Sequence, residues 1–106
     1  MSLLELQVLV ALASLGDDAY GVTVQREIQA RTGRSASIPA CYAALERLAR
    51  EKLAEVWYSP ARQERGGRAR RHYRLTAAGR ETLRQEREAT HKLWKGIPQR
   101  ITERSR

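Results

Sequence analysis

A chain of 106 residues carrying 20 Lys and Arg against 12 Asp and Glu, a formal +8, fits one domain with a modest core, since folding at this length buries roughly 65% of the unfolded surface. One cysteine excludes an intramolecular disulfide, and the most apolar segment, Leu3 to Leu15, contains Glu5 and falls short of the ~20 residues of a bilayer span, so a cytoplasmic protein with no membrane partner is expected. The charge is polarised: residues 1–61 sum to −1, residues 62–75 to +5 and residues 76–106 to +4, which points to a polyanion as the partner.

The first predicted element is a helix whose apolar residues, Leu3, Leu4, Leu6, Val8, Leu9, Val10, Leu12 and Leu15, cover nearly every side, so other elements or a second subunit should enclose it. Gly16 supplies its stop. Asp17 or Asp18 is expected to cap a second helix, in which Tyr20, Val24 and Ile28 recur every four residues as an inward stripe that ends near Thr32-Gly33. A third helix should run from about Ile38 to Glu51, because Ser37 is a good N-cap and Pro39 is tolerated in a first turn. Its inner face carries Cys41, Ala44, Leu45 and Leu48; its outer face carries Pro39, Ala43, Glu46, Arg47 and Arg50, with Ala40 and Tyr42 at the flanks.

Leu53 to Tyr58 reads as a strand, Gly66-Gly67 allows a turn with positive φ, and Arg70 to Leu75 returns as a second strand, placing a basic hairpin directly after the third helix. Thr76 should cap a last helix that extends to about Lys95, with Gly96 and Pro98 ending or bending it. Three helices, a two-stranded hairpin and a long helix make a mainly α, α+β winged helix: a three-helix helix-turn-helix core, a two-stranded β-wing and a long C-terminal helix. Residues 1–75 would form the winged helix-turn-helix DNA-binding domain, and residues 76–106 the last helix and tail.

Three strings in this order, AYGVTVQREI (Ala19 to Ile28), SIPACYAALERLAREKLAEV (Ser37 to Val56) and ERGGRARRHYRLTAAGRETL (Glu64 to Leu83), resemble the PadR family of bacterial transcriptional regulators. The resemblance covers about residues 3–95. Pro39 and Lys52 stand where the family pattern usually has glycine, and at Lys52 this makes the expected left-handed cap costlier by roughly 1 kcal/mol. The resemblance implies a homodimeric repressor of double-stranded DNA, of the short single-domain type. Its third helix would enter the major groove of a pseudo-palindromic operator, its wing would lie on the backbone or minor groove, and its last helix would pair the subunits.

In such a protein the start of the third helix approaches base edges most closely and needs small or hydrogen-bonding residues, which Ser35, Ser37, Ala40, Tyr42 and Ala43 provide, with Arg47 in reach of a phosphate or a guanine. The plainer alternative is that Ser37 only caps the helix and Tyr42 only packs between helices. In the wing, Arg62, Arg65, Arg68, Arg70 and Arg71 are candidates to neutralise phosphates, whereas Arg74 should pair with an acidic residue of its own fold, and Tyr73 and Leu75 should pack inward. Leu83, Thr90, Leu93, Trp94 and Ile97 form a stripe suited to pack against the first helix, with Leu3 and Leu6, of a second subunit. In drug-sensing relatives an aromatic residue of this helix lines a cavity, so Trp94 is a candidate contact for an unidentified small-molecule effector, beside the plainer reading of a packing tryptophan.

Cys41 reads as a small core residue, and His72 and His91 lack partners at ligand spacing, so no metal site is expected. No cofactor is implied. Without a nucleophile motif, a phosphate loop or paired carboxylates, an enzyme is rejected. Two rivals stand beside the sequence-specific regulator: a sequence-independent nucleic-acid binder using charge alone, and a protein-interaction module that has kept the fold and binds an acidic partner.

Overall fold

In the computed structural model, described for residues 1–60 and 69–104, the chain runs α1 (Leu3–Leu15), α2 (Gly21–Thr32), α3 (Ile38–Arg50), β1 (Ala54–Tyr58), β2 (Arg71–Leu75) and α4 (Ala77–Trp94). This is the expected mainly α winged-helix order. Apart from the start of α2, element boundaries agree with the sequence expectation to within a residue or so, and the Gly66-Gly67 turn lies outside the described residues.

Glu5 turns out to have a local task that its position in an apolar run did not suggest. The Ser2 hydroxyl accepts from the Glu5 N–H at 3.1 Å and the Glu5 carboxylate accepts from the Ser2 N–H at 3.0 Å, a reciprocal cap that satisfies two donors at the start of α1. Downstream of it, Val8, Leu9 and Leu12 meet Val24 and Ile28 of α2, Cys41, Leu45 and Leu48 of α3, and Tyr73 of β2 in one core. Leu3 and Val10 remain exposed on the other side of α1. The helix that reads as apolar all round is thus enclosed on one side only within a single chain.

The start of α2 differs from expectation. Asp17 and Asp18 belong to a short 3₁₀ turn, Gly16–Asp18, made possible by the positive φ of Gly16 (57°), and the cap position falls on Tyr20 instead. Thr23 does the capping work from inside the helix: its hydroxyl accepts from the Tyr20 N–H at 2.9 Å and donates to the Asp18 carbonyl at 2.6 Å. The extra turn moves the helix start beyond the two aspartates.

At α3 the Ser37 hydroxyl accepts from the Ala40 N–H at 3.1 Å, with Pro39 in the first turn. Cys41, Ala44, Leu45 and Leu48 are buried, and burial pushes the Cys41 thiol up from its ordinary pKa. The helix ends with Lys52 at φ 64°, in the left-handed conformation expected there, with the Leu53 N–H donating to the Leu48 carbonyl at 2.9 Å. A left-handed conformation costs a residue with a side chain about 1–2 kcal/mol, and the extra unfolded freedom of glycine offsets about 0.4–1 of that. Lys52→Gly is therefore expected to stabilise the chain by about 0.5–1 kcal/mol, seen as a higher urea midpoint at an unchanged m-value.

The strands pair antiparallel from Ala54↔Leu75 to Tyr58↔Arg71. The Tyr73 N–H donates to the Ala19 carbonyl at 3.0 Å, so β2 is also stitched to the connection between α1 and α2. Beyond the sheet, the Thr76 hydroxyl accepts from the Gly79 N–H at 3.0 Å and donates to the Lys52 carbonyl at 2.7 Å, joining the start of α4 to the end of α3. Gly79 is the one buried residue of α4. The remainder of α4 projects from the core, and the molecule measures 55 × 34 × 19 Å. No helix among the described residues is long and apolar enough to cross a membrane.

Candidate nucleic-acid interface

With its apolar stripe turned inward, α3 presents Ser37, Pro39, Tyr42, Ala43, Arg47 and Arg50 to solvent, Ala40 is half-buried, and Ser35 is exposed in the preceding loop. Tyr42 has two environments at once. A Cβ on Gly21 would come within 2.3 Å of its ring, so the glycine lets the ring lie against the first turn of α2, yet 38% of the residue stays exposed. Tyr42 thus packs between helices with the hydroxyl end of its ring toward Gly21, and still presents part of its surface to solvent. Arg47 lies 3.7 Å from Glu5 and keeps more than half of its side-chain surface exposed. The Ser37 hydroxyl is used as an acceptor by the helix cap, which leaves its proton available to donate.

The wing arginines do not form one class. Arg62, Arg65 and Arg68 lie outside the described residues. Arg70 is exposed, with its guanidinium 4.2 Å from the centre of the Tyr20 ring. Arg74 pairs with Glu55 across the strands at 2.7 Å, as the sequence suggests. Arg71, expected to face phosphate, is instead engaged within the fold: its guanidinium donates to both Glu46 carboxylate oxygens, at 2.9 and 3.1 Å, and to the Tyr73 and Tyr58 hydroxyls at 3.0 and 2.6 Å. The Tyr73 hydroxyl donates to Glu46 in turn. Sequence reasoning missed Glu46. The signal was a single carboxylate on an outer helix face otherwise neutral or basic, with arginines on a strand that packs beside it.

This network has a pH signature at each end. The Tyr73 hydrogen bond, and after it Arg71, hold the Glu46 carboxyl below its usual range against a smaller upward push from burial. Its stabilising contribution is complete above the unfolded carboxylate pKa of about 4.3 and is lost as pH falls through the lower folded value. Burial first, and the Glu46 acceptor second, push the Tyr73 phenol up to about 12. The neutral phenol's contribution is complete below the unfolded value of about 10 and is lost as pH rises from there to about 12. Urea midpoints measured against pH should show both declines. Glu46→Gln should reduce the acid one and Tyr73→Phe the alkaline one.

At the end of α4 Leu93 and Trp94 are 75% and 53% exposed, and Ile97, which the sequence placed on this helix but which lies beyond its end, is 48% exposed, an apolar end left uncovered by the chain's own core. Leu6, Val10, Leu83 and Thr90 line a groove of about 710 Å³ between α1 and α4, joined there by Arg80 and Arg87. Of the residues expected at a subunit interface, Leu6, Leu83 and Thr90 are thus brought together, and Leu3, Leu93, Trp94 and Ile97 lie outside the groove. Trp94 is not among the residues that line this groove. His72 stacks on Trp57 at 4.3 Å between ring centres, His91 is exposed on α4, and the described residues contain no group of three or more His, Cys, Asp or Glu placed to hold a metal.

Comparison with known proteins places this arrangement. Solved structures with the same fold include a PadR family transcription regulator from Clostridium difficile (23% identity, 94% of this chain and 99% of that one, TM-score 0.78). A PadR-like transcriptional regulator from Bacillus cereus is also similar (20% identity, 95% and 93% of the two chains, TM-score 0.74). PadR of Bacillus subtilis, solved in complex with operator DNA, matches at 21% identity over 80% of this chain and 46% of that one, with a TM-score of 0.67. No curated protein sequence matches the chain. The model of the "Transcriptional regulator PadR-like family" matches residues 8–85, a span that contains all three strings on which the resemblance rests. It also accounts for the absence of catalytic motifs, since the members are transcription regulators rather than enzymes. The chain belongs to the PadR-like family of transcriptional regulators.

Proposed function

We propose that this protein is a homodimeric cytoplasmic repressor that binds a pseudo-palindromic operator in double-stranded DNA, with half-sites about one helical turn, roughly 34 Å, apart. The observation that carries this reading is the outer face of α3. Small and hydrogen-bonding residues, Ser37, Ala40, Tyr42 and Ala43, sit at the end that approaches bases most closely, Arg47 and Arg50 follow, and the arginine-bearing β1–β2 hairpin stands beside them. The operator complex of the Bacillus subtilis relative supports it by analogy of fold. Residues 1–75 would contact DNA, and the uncovered apolar surfaces of α1 and α4 would close against a second copy, bringing two recognition helices to successive major grooves. A small-molecule effector would act at that subunit contact.

The test is a binding titration with the duplex from upstream of the protein's own gene and a random duplex of equal length at moderate salt. Preferential binding of the upstream duplex supports the reading, and equal affinity for the two leaves only the sequence-independent binder. Tyr42→Ala should weaken the upstream duplex about tenfold or more, the value of one base-directed contact, and leave the random duplex unchanged. About four phosphates neutralised per subunit would give a dimer salt slope on the order of −7.

A further inference from the structure

We propose that Glu46, Arg71 and Tyr73 form a positioning clamp that sets the angle between α3 and the wing, and that Arg71 serves this clamp instead of binding phosphate. The inference rests on the DNA-binding reading above and assigns a specificity role to residues that touch no base.

The chain leaves the sheet at Tyr58 and re-enters it at Arg71, and these two residues are register partners. Arg71 joins both strands to α3 at that place: one guanidinium reaches Tyr58 of β1, Tyr73 of its own strand and both oxygens of Glu46. Two parallel N–H···O bonds to one carboxylate fix orientation as well as distance, because the guanidinium is planar and rigid. The β1–β2 sheet is therefore held at this end in a direction referred to the recognition helix.

Stability alone does not explain the pair. The Arg71 and Glu46 side chains are 37% and 44% exposed, and ion pairs this open to water contribute little to folding. Tyr73, which is buried, needs an acceptor for its hydroxyl, but a neutral amide or a backbone carbonyl would have served. A carboxylate on the face of α3 that carries Ala43, Arg47 and Arg50 would repel phosphate unless neutralised. Arg71 neutralises Glu46, so neither residue adds net charge to the DNA-facing surface. The arrangement sacrifices one cation of a basic wing to hold a direction.

The experiment titrates the full-length protein and its Glu46→Gln, Arg71→Gln and double variants against the upstream and random duplexes at several salt concentrations. Hydrogen exchange of the β1 and β2 amides is followed in parallel. Glu46→Gln and the double variant should each weaken the upstream duplex about tenfold with the random duplex within about twofold and the salt slope unchanged, the double variant being no worse than Glu46→Gln, as expected of residues acting as a unit. Arg71→Gln, which leaves the Glu46 charge unneutralised, should weaken the upstream duplex more than the random one at an unchanged salt slope. The proposal is overturned if Arg71→Gln weakens both duplexes alike and reduces the salt slope by about 0.9 per subunit, the mark of a phosphate contact, or if Glu46→Gln binds the upstream duplex like the wild type. Should the wild type itself bind both duplexes equally, the sequence-specific reading and the specificity role fall together. The clamp is then judged by exchange alone: faster exchange in β1 and β2 of Glu46→Gln with α1 and α2 unchanged upholds it, and unchanged strand exchange removes it.

Discussion

Replacing Tyr73 with alanine is expected to destabilise the fold by about 3–5 kcal/mol, the range for removing a fully buried aromatic ring. Tyr73 is 0% exposed and leads the fully buried side chains in volume, packed within a core built by α1, α2 and α3. Its removal leaves a cavity at the joint between the sheet and the helices, and strips Glu46 and Arg71 of their common hydroxyl partner. A domain of this size has a total stability of about 5–15 kcal/mol, so the variant should be marginal or unfolded at 37 °C. Urea unfolding followed by far-UV circular dichroism measures the effect. Tyr73→Phe separates the ring from its hydroxyl, keeping the volume and losing about 1 kcal/mol. An alanine variant within 1 kcal/mol of the wild type would mean that the ring does not organise the core.

The second large effect is expected at Gly79. A Cβ built there would sit 2.1 Å from the Leu53 carbonyl oxygen and 3.0 Å from Leu75 Cδ2. The nearer atom is backbone, and the Leu53 carbonyl also accepts from the Thr76 N–H at 3.2 Å, so it cannot turn away without loosening the start of α4. Gly79→Ala should therefore cost about 1–3 kcal/mol through overpacking, at the upper end because backbone has to move. This outweighs the gain in helix propensity of up to about 1 kcal/mol that the same substitution brings in an open helix. The displaced element is α4, which the proposed dimer uses to space its two DNA-binding units. Gly79→Ala protein that remains folded should lose affinity for the upstream duplex before it loses affinity for random DNA. A thermal midpoint equal to the wild type's would contradict the close approach.

Helix and strand limits were legible because they follow from local rules. Ser37 and Thr76 cap α3 and α4 as their chemistry predicts, Lys52 occupies the left-handed position set by the helix end, and Cys41, Ala44, Leu45 and Leu48 at helical spacing are buried. The cap of α2 was misplaced for an equally local reason: a 3₁₀ turn inserted after Gly16 is not encoded by any spacing that distinguishes it from the start of a helix. Glu5 was read as a charge in an apolar run and is a cap, because a reciprocal bond with Ser2 depends on the hydroxyl one turn earlier and on nothing apolar.

Composition and periodicity were enough to locate the candidate interface on the outer face of α3 and the following basic hairpin, since charge and amphipathicity are properties of neighbours along the chain. Which arginine faces a carboxylate and which faces solvent depended on contacts between residues far apart in sequence. Arg74 meets Glu55 and Arg71 meets Glu46 only because β2 returns beside β1, which packs on α3, in a register that a count of charges does not contain. The same holds for Gly79 and Gly21, whose missing side chains make room for Leu53 and Tyr42. Local chemistry names the elements and the sign of their surfaces, whereas pairing and close approach arise when separate segments are brought to a few ångströms by the packed core.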